Sequence, residues 1–290
     1  MNMSNVKIVT DSNSGITQKE AEELGITVLP MPFVIDGEEY FEDINLTQKE
    51  FYEHLKNDAD VHTSQPAVGN ITELWDKLLE DGSEIVHIPM SSGLSESCHT
   101  AEALAKEYNG KVQVVDNQRI SVTQKQSVLD AIKLKNEGKS AKEIKDALIA
   151  SKFDSSIYIS LNTLKYLKKG GRLTPAAALI GTLLGIRPVL QIQGEKLDAF
   201  KKVKTMRKAK EIMIEAVRND FTNRFAQFVE DGTMRLFIAH TDNDEEAKIF
   251  AEEVQAAFPN VPVSYIDPLS LSVSCHIGPG SLAVAMAREL

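Results

Sequence analysis

The stretch Ile85-Val86-His87-Ile88-Pro89-Met90-Ser91-Ser92-Gly93-Leu94-Ser95-Glu96-Ser97 decides the fold class. It opens as a short apolar strand, passes through a small hydroxyl-rich loop, and leads toward the amphipathic stretch Ala101–Tyr108. Strand, loop and helix in that order form the unit of an α/β fold, and the same order recurs on both sides. Upstream, Val6-Lys7-Ile8-Val9-Thr10-Asp11 is a β-branched run that ends in polar residues. Thr17-Gln18-Lys19-Glu20 and Thr47-Gln48-Lys49-Glu50 both fit the capping box that starts a helix. Thr27–Leu29, Phe33–Ile35 with an Asp36-Gly37 turn, and Val112–Val115 are further strand candidates, and Ile71–Leu79 is a further helix. The alternation predicts a largely parallel sheet covered by helices.

Beyond Val115 two helices, Val122–Lys135 and Ala141–Ala150, are punctuated by Gly138. Ile157-Tyr158-Ile159-Ser160 opens a second set of elements. It contains a hairpin over 188–203, a long helix from Arg207 to about Phe225, strands at Leu236–Ala239 and Val263–Ile266, and a helix at Ala247–Phe258. The expectation is an α/β chain of two domains, 1–155 and 156–290, of which the first has the mostly parallel sheet.

Composition narrows the function classes. The 290 residues are 42% hydrophobic and 26% charged, enough to bury a core without disulfides. Two cysteines make no disulfide framework, and the opening residues lack the basic-then-apolar pattern of a secretory signal, so a cytoplasmic protein is expected. The longest apolar run, Pro175–Ile186, is broken by Gly181 and Gly185 and falls short of the ~20 residues that span a bilayer, so membrane insertion is not expected. A net charge of −10 argues against nucleic acid. That average conceals a contrast. Between Lys165 and Lys210 stand twelve Lys/Arg against Glu195 and Asp198, a segment of +10 set in a body of −20.

Standard catalytic motifs do not account for the chain. There is no P-loop, H-E-x-x-H or C-x-x-C. Gly278-Pro279-Gly280-Ser281-Leu282-Ala283 has the letters of a dinucleotide fingerprint, but too little sequence follows it to complete a βαβ unit. Cys98-His99 and Cys275-His276 are awkward zinc ligands, because adjacent side chains diverge, so no metal is expected.

The hydroxyl-rich loop suits an anion, since a helix start offers unpaired N–H groups and positive potential; equally, Ser92 and Ser95 are good N-cap residues. His62-Thr63-Ser64-Gln65-Pro66 is a second polar turn before a helix, able to bring hydroxyls to the same place. A nucleophilic serine in this loop, served by His276 or His99, is an alternative reading, that of an acyl-ester hydrolase, although the G-x-S-x-G elbow is missing. Arg172, after the helix-stopping Gly170-Gly171, is either an anion contact or a surface charge. The run 175–186 is either a core helix or the wall of an apolar tunnel. His276 lies beside glycines that let backbone approach a ligand.

Taken in order, six segments carry a family resemblance: Ile8-Val9-Thr10-Asp11-Ser12, Thr63-Ser64-Gln65-Pro66, Ser91-Ser92-Gly93-Leu94-Ser95, the run from Leu164 to Arg172, Ile186-Arg187-Pro188-Val189-Leu190, and His276-Ile277-Gly278-Pro279-Gly280. Over essentially its whole length the chain resembles the DegV family of bacterial fatty-acid-binding proteins. The resemblance implies a two-domain α/β protein, without a catalytic site or cofactor of its own, that holds one long-chain fatty acid between its domains. Thr63 and Ser95 would hold the carboxylate, with Ser92, Arg172 and His276 close by. The resemblance also implies a partner, a fatty acid kinase that makes an acyl phosphate for phospholipid synthesis. Lys202, Lys204 and Arg207 would belong to its docking face; the plain reading of these charges is a solvated surface. Where the family pattern has Leu-Ser-Gly-Thr and an aromatic residue, this chain has Leu94-Ser95-Glu96-Ser97-Cys98. An outward Glu96 would support the helix dipole, and an inward one would oppose a bound carboxylate.

Overall fold

Side-chain alternation in the C-terminal strand Ser281–Arg288 sets up the interior. Leu282, Val284 and Met286 face one core, while Ala283, Ala285 and Ala287 face another, as the two-residue period of a strand requires. In the computed structural model, which describes residues 5–172, 174 and 185–290, this strand lies inside a six-stranded sheet. The sheet order is β10 (Leu197–Val203), β9 (Arg187–Ile192), β8 (Ser155–Ser160), β13 (Ser281–Arg288), β11 (Met234–Thr241) and β12 (Val263–Pro268). Only β11 and β12 run parallel. The bulky face packs on the helices Met206–Thr222 and Asp244–Ala257. The alanine face leaves room, and that room becomes the site.

The N-terminal half builds the expected parallel sheet from β2 (Thr27–Leu29), β1 (Val6–Asp11), β6 (Glu84–Ile88) and β7 (Val112–Val114). A separate antiparallel sheet, β4 (Glu38–Phe41), β3 (Pro32–Ile35) and β5 (Val61–Thr63), contains the expected strand at Phe33–Ile35 and its Asp36-Gly37 turn, while β4 and β5 are additions to the expected strands. β4 and β5 are four and three residues long, too short for an alternation pattern to register. Among the described residues, every strand before residue 155 lies in these two sheets, and every strand from residue 155 on lies in the six-stranded sheet.

The helix Ser121–Asn136 joins the two halves, touching β1 and β6 on one side and β8, β11 and β13 on the other. Ten of its first eleven residues are buried, so it has no solvent face there and its polar side chains must find internal partners. Gln124 Nε2 donates to Thr10 Oγ1, Asp11 Oδ1 and the Ile88 carbonyl, each at 3.1 Å. Lys125 Nζ pairs with Asp267 Oδ2 of β12 and with Glu20 Oε1, both at 2.9 Å. Such a charge in the interior is tolerated because it is paired.

That pairing explains a difference from expectation at Thr17. Thr47 and Glu50 complete a capping box, whereas at Thr17 only the hydroxyl half forms, because Glu20 turns to Lys125. The apolar run from Pro175 lies outside the described residues up to residue 184. No helix among the described residues is long and apolar enough to cross a membrane.

Candidate functional site

Between the alanine face of the six-stranded sheet and the start of the helix Ser121–Asn136 lies a cavity of ≈ 270 Å³. This is just under the ~300–1,000 Å³ of small-molecule sites. Its sheet side is apolar: Ile157 and Ile159 of β8, Ala239 of β11 and Ala283 of β13. Ile120 and Val122 close it from the helix side.

The polar side is built by three loops and a short helix. β5 ends at Thr63, so the turn 63–66 leaves a strand edge and not merely a loop. The segment around His276, read in the sequence as a glycine-rich turn, is the helix Leu271–Ile277, capped by Ser270 and stopped at Gly278. Ser272, Val273, His276 and Ile277 line the cavity, the spacing of one helical face. Ser281 then opens a strand, not a helix, so the dinucleotide fingerprint lacks its structural context.

Four of the five expected residues meet here: Thr63, Ser95, Arg172 and His276 all line the cavity. Thr63 Oγ1 and His276 Nε2 are 2.8 Å apart across 213 residues of sequence. Burial, with the Arg172 cation adding to it, holds the His276 imidazole down at about 4. The ring is therefore neutral near pH 7. Its Nδ1 is buried without a hydrogen-bond partner among the described residues and lies against Gly170, where an added Cβ would collide with the ring. Gly170 is thus needed for close approach. Arg172 is exposed at the rim, its Nη1 donating to the Gly170 carbonyl at 2.7 Å.

In the serine loop, Ser95 Oγ accepts from the Ser97 N–H at 3.2 Å and donates to Ser97 Oγ at 2.9 Å. Ser92 is engaged elsewhere. Its Oγ donates to Asp116 Oδ2 at 2.6 Å and its N–H to Asp116 Oδ1 at 3.2 Å, which ties the loop down. Ser92 lines an adjoining open groove shared by Ser95, Glu96, Arg172, Lys196 and Leu197, not the cavity itself. Gly93 lets the loop press on the β9–β10 hairpin, since a Cβ there would strike the Glu195 backbone. Glu96 is largely exposed and faces His99 Nδ1 at 3.2 Å, the outward of its two expected orientations.

No histidine bonds Ser92 or Ser95 among the described residues, so the hydrolase alternative finds no serine–histidine pair. Cys98 and Cys275 are free, buried thiols in different cores.

The basic segment is less uniform than its sum. Lys165 pairs with Asp58 (2.6 Å), Lys169 with Asp60 (2.5 Å), and the buried Lys210 with Glu246 and Glu253 (2.7 and 2.6 Å). Lys201, Lys202, Lys204 and Arg207 are exposed together at the end of β10 and the start of the helix Met206–Thr222.

The residues missed from sequence are Asn13, Gln65, Ser121 and Ser272, all on the cavity wall. Ser121 carries one signal, a left-handed φ of 53°, unusual for a non-glycine residue, but that is visible only in three dimensions. Glu42 supports the site from behind. Its Oε2 accepts from the Leu271 N–H at 2.7 Å, at the start of the helix that carries His276, and its Oε1 from Gln48 Nε2 at 2.6 Å. Desolvation pushes this carboxyl up to about 7 from 4.5.

The folded state therefore binds Glu42's proton more tightly than the unfolded one. The resulting stabilisation is full below about pH 4.5 and disappears as pH rises through about 7. A Glu42→Gln variant lacks this dependence. Its Tm relative to the parent is expected to rise between pH 5 and pH 8; parallel Tm profiles would contradict the assignment.

A family model described as an uncharacterised protein of the DegV family matches residues 5–289. A DegV domain-containing protein of Staphylococcus aureus strain N315 is 29% identical over 287 residues, covering 97% of this chain and 98% of its own. A solved DegV family protein from Thermus thermophilus, described by its fatty acid binding, superposes with a TM-score of 0.86 at 28% identity, covering 98% of this chain and 99% of its own. DegV from Bacillus subtilis, described as a fatty acid binding protein, gives a TM-score of 0.84 at 28% identity, with coverage of 98% and 99%.

Proposed function

Because this chain belongs to the DegV family, we propose that it binds one long-chain fatty acid in the cavity and serves as a non-catalytic carrier. The observation that carries this reading is the division of the cavity wall into an apolar sheet side and a polar rim, with the Thr63–His276 pair in that rim. Solved relatives described as fatty acid binding support it.

The hydrogen-bond logic follows from the neutral imidazole. An ionised carboxylate only accepts hydrogen bonds, so Thr63 must donate to it. Thr63 can do so only if its oxygen takes its other hydrogen bond from His276, which requires the proton on Nε2. His276 then orients Thr63 and leaves the hydroxyl hydrogen for the ligand. Ser95 donates after its hydroxyl hydrogen swings from Ser97 Oγ, while the Ser97 N–H still holds its oxygen. Charged hydrogen bonds of this kind offset the cost of burying a carboxylate. The acyl chain contributes ~0.8 kcal/mol for each buried CH₂.

Two domains, 1–155 and 156–290, would close over the chain from either side, consistent with the segregation of strands near residue 155. Arg172 at the rim leads into the open groove, the route by which a cytoplasmic fatty acid kinase would reach the carboxylate and form the acyl phosphate used for phospholipid synthesis. The exposed Lys202, Lys204 and Arg207 would meet an acidic face of that kinase. Native mass spectrometry of the purified protein tests the reading. A bound C14–C18 acid is expected; an empty protein that also takes up no added palmitate would end it.

A further inference from the structure

One polar group on the cavity wall has no part in the reading above: the hydroxyl of Ser121. The helix Ser121–Asn136 begins on that wall, where Ile120, Ser121 and Val122 all line the cavity. Its N-cap residue is Ile120, whose side chain has no oxygen to offer, and no side chain caps the helix start. The helix takes up its regular pattern with the Gln124 N–H, which donates to the Ile120 carbonyl at 3.3 Å. The N–H groups of Ser121, Val122 and Thr123 have no carbonyl partner among the described residues. The Thr123 hydroxyl does not fill the gap, since it turns back to the Ile120 backbone.

Ser121 itself is 5% exposed, and its hydroxyl has no hydrogen-bond partner among the described residues. The Ser160 hydroxyl is also unpartnered but is sealed inside the protein, whereas Ser121 Oγ retains accessible surface. Because Ser121 lines the cavity, that surface is cavity surface. Thr63 is joined to His276 and Ser95 to Ser97, and Ser121 shares in neither pair. Its surroundings are apolar instead: Ile120 and Val122 belong to the cluster that holds Ile157, Ile159 and Ala283. A plain methylene lying here leaves a hydroxyl and a helix start without partners in a dry cavity, which is costly. An alcohol oxygen at the same place answers both. It accepts from the donors at the helix start, where the potential is positive, and its own hydrogen goes to Ser121 Oγ.

We propose that Ser121 and the start of its helix form an oxygen-binding station within the cavity, distinct from the carboxylate contacts, and that the ligands it favours are long-chain acids with a hydroxyl on the acyl chain. This rests on the fatty-acid reading and narrows its substrate class.

The test titrates delipidated protein with stearate and with a series of hydroxystearates, the hydroxyl placed at successive positions along the chain. Wild type is expected to bind at least one positional isomer about three- to tenfold more tightly than stearate. Ser121→Ala and Ser121→Gly both remove the hydroxyl, and glycine also suits the left-handed backbone at this position. In both variants the preference for that isomer is expected to vanish while stearate affinity changes little. Wild type that prefers no hydroxystearate over stearate overturns the proposal, as does a preference that survives both substitutions. An equal loss of stearate and hydroxystearate in the variants also overturns it, since Ser121 would then serve the carboxylate or the fold. Wild type that binds neither kind of acid would instead defeat the fatty-acid reading, and this inference with it.

Discussion

Replacing Thr63 by valine and Ser95 by alanine is expected to weaken palmitate binding by ~1–3 kcal/mol in each single variant, about five- to 150-fold. Valine keeps the β-branched shape that suits the end of β5, where residue 63 pairs with Phe33. What it removes is the hydroxyl that would stand between the proposed ligand and His276, leaving His276 Nε2 without the one hydrogen-bond partner it has among the described residues. Ser95→Ala removes a donor and also the acceptor of the Ser97 N–H at the start of its helix, so a stability loss of ~0.5–2 kcal/mol accompanies it. The double variant should lose more than either single, without strict additivity if both groups hold the same carboxylate. Calorimetric titration of delipidated protein, with Tm measured alongside, separates binding from stability. Wild-type affinity in both single variants would put the carboxylate elsewhere.

The second large effect concerns the apolar end. Ala283→Leu is expected to shift the preferred acyl chain to shorter acids. Ala283 faces the cavity from β13, between the inward Ile159 of β8 and Ala239 of β11. A leucine adds three carbons to that wall and would exclude about three methylenes of ligand, or ~2.4 kcal/mol, roughly sixtyfold for a chain that needs the full length. A C12 acid, which needs less of the cavity, should be affected far less. The measurement is the ratio of stearate to laurate affinity in parent and variant. An unchanged ratio would mean that the acyl chain does not run along β13. Overpacking of ~1–3 kcal/mol lowers Tm but leaves the ratio intact.

Much of this architecture was legible in the chain. Strands such as Thr27–Leu29 and helices such as Ala141–Ala150 stand where apolar period and caps put them. Where the reading failed, a local signal was missing. β13 carries alternating large residues and alanines, and alanine gives little contrast in a hydropathy pattern, so a central strand went unread. The helix Leu271–Ile277 has only seven residues, among them four β-branched or hydroxyl-bearing ones, and it ends in glycines that look like a turn. The helix Ser121–Asn136 was recognised, but its all-round burial was not, because its buried face includes Gln124, Lys125 and Asp130.

Sequence alone determined the α/β class, the acidic body with its basic segment, and a short list of hydroxyl, arginine and histidine residues, four of which line the cavity. Those are local properties: period, cap preference, and the side-chain chemistry able to satisfy an anion. Only the tertiary structure decided which of them act together. It joined Thr63 to His276 across 213 residues, tied Ser92 to Asp116 beside the adjoining groove, turned Glu96 outward to His99, and brought Asn13 into the wall. The physical reason is that a buried polar group is defined by its partner. The partner here comes from a different strand or helix, whose approach depends on packing that no local stretch encodes.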